Sequence, residues 1–285
     1  VTLSEIEMGL ILALTAASCA IPGTVLVLRK QAMLSDAIGH SLLPGVVLAY
    51  ALTANMNSPL LLLGAAVSGW LAVVIVETLT TTKVVKEDAA IGLTFPALFA
   101  LGVLLVTVSY RQEHLDVDRV LLGMPELARY DRFLSETRDF GPKGLWLSGG
   151  LFLFHTLIFT LAAKEIRLTT FDPDLARAFG YHPMLVRQIL MFLVSLTAVS
   201  AFNVAGPVLV VAFFVVPVCC ARYWTDRYLT TFILSVLFAL LGAILGTFFS
   251  IRYDLPASGT VAMTLGGLWF LCFVAYGLTS RRKSR

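Results

Sequence analysis

Charged side chains are scarce in this chain of 285 residues: they make up 14% of it, beside 58% hydrophobic residues. Ordinary globular chains run about 25% charged. So little charge cannot solvate a surface on all sides, which leaves no room for a sizeable soluble domain. The mean hydropathy of +0.86 makes a bilayer the natural solvent. The net charge is only +3, and the excess sits in loops and in the tail (Arg281, Arg282, Lys283, Arg285). A nucleic-acid-binding role has no support. Cysteine is rare too: Cys19, Cys219, Cys220 and Cys272 all lie in apolar segments, with no C-x-x-C pair. Adjacent Cys219 and Cys220 are badly placed for a structural disulfide or a metal clip, so all four read as small packing residues. No phosphate-binding loop of the G-x-x-x-x-G-K-[ST] type occurs, and neither G-x-S-x-G nor H-E-x-x-H is present. If the chain does pumping work, ATP hydrolysis resides on another chain and this one is no enzyme.

What the chain does have is long apolar runs. A spanning helix needs roughly 20 apolar residues, and nine candidate segments meet or approach that length. They lie at about 6–28, 32–53, 59–80, 88–109, 145–163, 184–204, 206–222, 228–250 and 257–279. The expected fold is all-α: a polytopic transmembrane helix bundle, with residues 1–285 as a single transmembrane domain. The segment at 206–222 is short and has almost no linker before it, so eight spans is the competing count. Acidic Glu5 and Glu7 precede the first run where a signal peptide has a basic region, so that run is expected to be a retained helix. Basic residues at Arg29, Lys30, Lys83, Lys86, Lys164, Arg167, Arg222, Arg227 and the tail alternate consistently with nine spans. They put the N-terminus outside and the C-terminus in the cytoplasm. The loop at about 110–144 runs against this pattern, because it is outside yet carries Arg111, Arg119, Arg129, Arg132, Arg138 and Lys143.

One pair of residues stands out for chemistry. In the second segment Asp36 and His40 are four apart, so on a helix they share a face about one turn apart. Carboxylate oxygen and imidazole nitrogen both bind first-row divalent metals. Ser35, Ala37, Gly39 and Ser41 around them are small and let an ion or a second helix approach. An acid inside a spanning helix costs roughly 2.5–3.5 kcal/mol on insertion scales and usually lines a pathway. Two plainer accounts stay open: Asp36 could pair with Arg29 or Lys30 at the interface, and His40 could be a satisfied core histidine. A two-fold dimer would bring two copies of the face together and supply two oxygen and two nitrogen ligands. His155, alone in the fifth segment, is expected to hydrogen-bond a neighbouring helix rather than a metal.

A second feature is the stretch FDPDLARAFGYHP at 171–183. Asp172 can cap a helix, Pro173 suits its first position and Gly180 its left-handed end. A helix of about two turns is expected over 173–179, on the cytoplasmic side. It would expose Leu175 and Phe179 beside Asp174 and Arg177, either as a docking knob or as a plain capped connector. In Lys86-Glu87-Asp88 the acids complement the dipole at the start of the fourth span. His114, Asp116, Asp118 and Glu126 of the outer loop could concentrate cations at an entrance, but read first as a solvated face or as contacts to another protein.

Five stretches together resemble a known family. They are LSDAIGHSLLPG at 34–45, KEDAAIGL at 86–93, FDPDLARAFG at 171–180, VVAFFVVP at 210–217 and YDLP at 253–256. In this order they are similar to the membrane-spanning permease subunits of the bacterial ABC importers for manganese, zinc and iron, the ABC-3 family. The resemblance covers nearly the whole chain. It implies a multi-pass protein of the bacterial cytoplasmic (inner) membrane, a homodimer surrounded by membrane lipid. One cytoplasmic ABC ATPase subunit would bind beneath each copy, and an extracytoplasmic metal-binding protein would deliver the cargo. No permanently bound cofactor is implied, only a transported divalent metal ion. By the same resemblance Asp36 and His40 form the ion site in the pathway. The segment about 172–180, with Phe171, Asp172, Pro173, Asp174, Leu175, Arg177, Phe179 and Gly180, corresponds to the coupling helix that seats in the ATPase. The loop at about 114–143 is longer and more charged than the family's usual connection. The rival function is a secondary metal transporter coupled to protons or sodium, with Asp36 and His40 as the titrating pair.

Overall fold

The computed structural model describes residues 3–55, 58–109, 125–128, 131–135 and 138–283. His114, Asp116 and Asp118 of the outer loop lie outside the described residues. The described chain is helical except for one hairpin. In order it forms α1 (Leu3–Leu28), α2 (Leu34–His40), α3 (Leu43–Thr53), α4 (Pro59–Thr81), α5 (Glu87–Ser109), α6 (Pro125–Ala128), β1 (Arg132–Ser135) and β2 (Arg138–Pro142). There follow α7 (Lys143–Leu161), α8 (Ala163–Phe171), α9 (Pro173–Ala178), α10 (Pro183–Ala205), α11 (Pro207–Arg222), α12 (Tyr228–Tyr253) and α13 (Ala257–Lys283).

Counting α2 and α3 as one crossing, eight of these units are long and apolar enough to span a bilayer. The ninth apolar segment is α11, whose 16 residues rise only about 24 Å, less than the roughly 30 Å hydrocarbon core. Side-chain contacts fix the alternation of the ends. At one end Arg29 meets Thr170, Gln31 meets Glu87, Phe171 meets Tyr228 and Tyr223 meets Tyr276. At the other, Arg132 meets Glu7, Glu126 meets Ala257 and Lys143 meets Asp131. Val204 lies level with Ile11 and Gly144, near this second end. Getting from there back to Tyr223 at the first end takes α11. The short helix therefore leads the chain back toward the first end, entered through a turn at Gly206 (φ +79°).

Helix α1 is the most buried of the long helices. Leu12, Ala16, Cys19, Ala20 and Leu26 on it join Phe202, Phe213, Phe214 and Val210 in the main core. Helices α7 and α13 are peripheral, with most of their apolar surface turned outward, as expected where lipid replaces protein. Small residues let α12 and α13 close on each other: Gly246 faces the backbone of Val261, and Gly242 faces Leu265. The four cysteines are unpaired, and three of them are buried.

The second apolar segment is where the structure departs from a plain span. It is broken after His40, and Ser41 and Leu42 separate α2 from α3. Pro44 explains the break. It has no N–H to give the carbonyl four residues back, which belongs to His40, and its ring crowds that carbonyl. Beyond the break α3 packs on α4 so closely that a side chain on Gly45 would collide with the Gly64 carbonyl. The segment is thereby pinned against α4.

Candidate metal site

Asp36 and His40 lie on one face of α2, whose other residues Leu34, Ser35, Ala37, Ile38 and Gly39 are buried. His40 Nε2 stands 3.6 Å from Asp36 Oδ1, with the imidazole 48% and the carboxylate 51% exposed. That gap is too long for a strong hydrogen bond. It is close to the span of about 3.4 Å between two tetrahedral ligands holding an ion at about 2.1 Å each. That spacing is compatible with two ligands of one ion. The His40 ring also leans on Phe95 of α5, with centroids 5.5 Å apart, which restricts how the imidazole turns.

Among the described residues the ion-pair partner of Asp36 is His40, and neither Arg29 nor Lys30 pairs with it. Arg29 does not reach Asp36; its Nε and Nη2 each donate to Thr170 Oγ1 at 3.2 Å. Burial, with Arg187 close by, pulls the Arg29 guanidinium down to about 10, so it stays charged at neutral pH. His40 is half open and does not sit in the core. The satisfied buried histidine is His155. Its Nδ1 lies 2.8 Å from the Leu151 carbonyl, which can only accept, so the proton is on Nδ1. Its Nε2 faces Thr197 Oγ1 at 3.0 Å.

Among the described residues no group of three or more His, Cys, Asp or Glu side chains converges. Among the described residues Asp36 and His40 therefore stand as a pair, with no third such side chain beside them. Met33, about one turn before Asp36, is exposed as well.

The stretch after α8 forms a short capped helix. Asp172 accepts a hydrogen bond from the Leu175 N–H at 2.9 Å, and Pro173 opens α9. Gly180 takes the left-handed conformation (φ +82°) at which side-chain-bearing residues are strained. Asp174 and Arg177 pair at 2.7 Å on the surface. Phe171, Leu175 and Phe179 are exposed, an apolar knob at the Arg29 end of the bundle.

Sequence reasoning missed two polar clusters. Glu77 of α4 is almost fully buried, ion-paired to Arg187 of α10 at 2.6 Å. It also accepts from Gln188 Nε2 at 2.6 Å, while Gln188 Oε1 accepts from Trp70 Nε1 at 2.8 Å. The available signal was a carboxylate inside an apolar segment, which by itself asks for a partner. The second cluster is on the outer side. Glu126, read as part of a solvated face, accepts from the Ala257 N–H at 2.7 Å and so caps α13. Asp131 takes Lys143 at 2.7 Å.

The broken helix, the Asp36–His40 pair and the eight span-length apolar units among the described residues define a polytopic membrane protein with a polar pair on one face of its second crossing. A family model described as the ABC 3 transport family matches residues 6–276, and the chain belongs to that family. It is 36% identical over 261 residues to the manganese transport system membrane protein MntD of Bacillus subtilis (strain 168), covering 92% of this chain and 88% of that protein. To the zinc transport system membrane protein TroD of Treponema pallidum (strain Nichols) it is 38% identical over 268 residues, covering 94% and 73%. A solved structure described as PsaBC from Streptococcus pneumoniae in complex with Fab shares the fold, with a TM-score of 0.76 at 24% identity over 95% of this chain and 91% of that one. The protein is accordingly a multi-pass permease of the bacterial cytoplasmic membrane and not an enzyme.

Proposed function

We propose that this chain is the permease subunit of an ATP-driven importer for a divalent transition metal, manganese or zinc as in the names of its relatives. The observation that carries this is the Asp36–His40 pair, held on a half-open face at a spacing compatible with two ligands of one ion. One carboxylate oxygen and one imidazole nitrogen suit manganese, iron and zinc alike. Two ligands hold an ion weakly; two copies of the chain meeting across a two-fold axis would supply four. Affinity then stays modest, so the ion can leave as well as arrive.

The Lys and Arg bias puts the end with Arg29 and α9 in the cytoplasm. There the knob of Phe171, Leu175 and Phe179 would seat in an ATPase subunit. The opposite end, with its hairpin and α6, would receive metal from an extracytoplasmic binding protein. ATP-driven movement at α9 would switch the Asp36–His40 face between outward and inward access.

The test is uptake of radioactive manganese and zinc into proteoliposomes holding the permease with its ATPase and binding protein. Uptake should require ATP and persist when the proton and sodium gradients are collapsed. Uptake that survives without ATP but stops with the proton gradient would instead make the chain a secondary transporter.

A further inference from the structure

The ATPase-facing helix α9 and the metal pair lie on separate elements; α10, which follows α9, packs on α2 itself, where Gly39 meets the Phe202 ring, and also on α4. The cytoplasmic half of α4 is bound to α10, which starts three residues after Gly180. Glu77 takes Arg187 and Gln188, and Trp70 takes the other end of the same Gln188 amide. Glu77 and Trp70 are seven residues apart and so share a face, with Gln188 spanning the two turns between them. Further along, the Ser195 hydroxyl of α10 donates to the Ala66 carbonyl of α4 at 2.8 Å. Helix α10 therefore holds α4 at three levels.

The opposite side of α4 meets the break in the metal-bearing segment. The Ser68 hydroxyl donates to the Ser41 carbonyl at 2.6 Å, one residue beyond His40 in the gap between α2 and α3. A side chain on Gly69 would collide with Ser195, and would lie 2.9 Å from Ile38 of α2. A single point on α4 thus meets α10 and α2 together, and the three helices pack against one another at this level. Because Pro44 has interrupted the helical ladder at His40, the orientation of α2 is not fixed by continuity with α3. Its own packing on α10, where Gly39 meets the Phe202 ring, is joined by the grip of Ser68 on the gap.

We propose that α4 is the strut that carries movement of the ATPase-facing end to the metal pair, with Glu77 and Trp70 as its grip on α10 and Ser68 as its grip on the gap beside His40. These are positioning residues: none touches the ion. A displacement of α10 moves α4 through Gln188 and Arg187, and α4 then shifts the Ser41 carbonyl and re-aims His40. The inference rests on the function proposed above for α9 and for Asp36–His40.

A hydrogen-bonded chain between two sites becomes a coupling route only when coupling itself is measured. The experiment uses the complete importer in liposomes, with ATP hydrolysis and manganese uptake read in the same vesicles. The variants are Ser68→Ala, Trp70→Phe, their double mutant, and Leu71→Ala on the exposed face of α4 as control. Ser68→Ala and Trp70→Phe should each lower manganese moved per ATP by about tenfold while hydrolysis stays within roughly twofold of the native complex. The double mutant should be no worse than the poorer single one, since links in series do not add. Leu71→Ala should transport normally. An unchanged ratio of metal to ATP in both single variants overturns the strut. So does a parallel fall in hydrolysis, uptake and assembled complex, or losses that simply multiply in the double mutant, because those mark ordinary structural damage. Failure of the proposed function shows separately, as a native complex that hydrolyses ATP without moving manganese or zinc.

Discussion

Arg132 of the outer hairpin grips Glu7 at the start of α1 with two parallel hydrogen bonds, Nη1 to Oε2 at 2.9 Å and Nη2 to Oε1 at 3.0 Å. The pair spans 125 residues of sequence and fastens β1 to the most buried helix. Its planar two-point geometry is the strong form of an ion pair, though partial exposure limits its worth to about 1 kcal/mol. Arg132→Ala should raise amide hydrogen exchange in 131–142 and leave α1 as protected as before. Unchanged exchange in the hairpin would mean that something else holds it.

Gly45 and Gly64 let α3 and α4 touch backbone to backbone. Gly45→Val places branched carbons where no space exists, and overpacking of that kind costs about 1–3 kcal/mol or more. The expected result is a sharp fall in folded permease recovered in mild detergent. Recovery equal to the native chain would show that this helix pair can part freely.

The cap on α9 offers a milder lesion. Asp172→Ala removes the bond to the Leu175 N–H and should cost the short helix about 1 kcal/mol. Folding should survive, with weaker co-purification of the ATPase subunit. Phe179→Asp puts a charge on the exposed knob and should abolish co-purification. Full ATPase binding in both variants would move the docking surface elsewhere.

Much of this architecture was legible in the chain because apolar length is a strong signal. The segment at 228–250 became α12, running Tyr228–Tyr253, and the short stretch at 206–222 became α11. Gly242 and Gly246, four residues apart in an apolar run, are the kind of small pair that marks a close helix contact, and they meet α13. The Asp36–His40 spacing announced a shared face, and Asp172, Pro173 and Gly180 announced a capped turn of helix. The break after His40 was only half visible. A proline inside an apolar run, as Pro44 is, disturbs the ladder, but whether a membrane helix bends or parts there depends on what its neighbours offer the freed groups. Here the offer is Ser68, 27 residues away, and nothing in local sequence points to it. Glu77 with Arg187 was hidden for the same reason: a buried carboxylate asks for a partner without saying which of many cations answers. Glu126 was misread because charge patterning alone cannot separate a solvated acid from one that caps a distant helix.

The most direct test of the whole account is manganese and zinc uptake by Asp36→Asn and His40→Ala, measured against native permease at matched amounts in the membrane. Each change removes one of the two ligands proposed for a single chain. Both variants should fall to background while still inserting and binding the ATPase subunit. Native rates of uptake in both would show that the ion passes elsewhere, and the site would be lost.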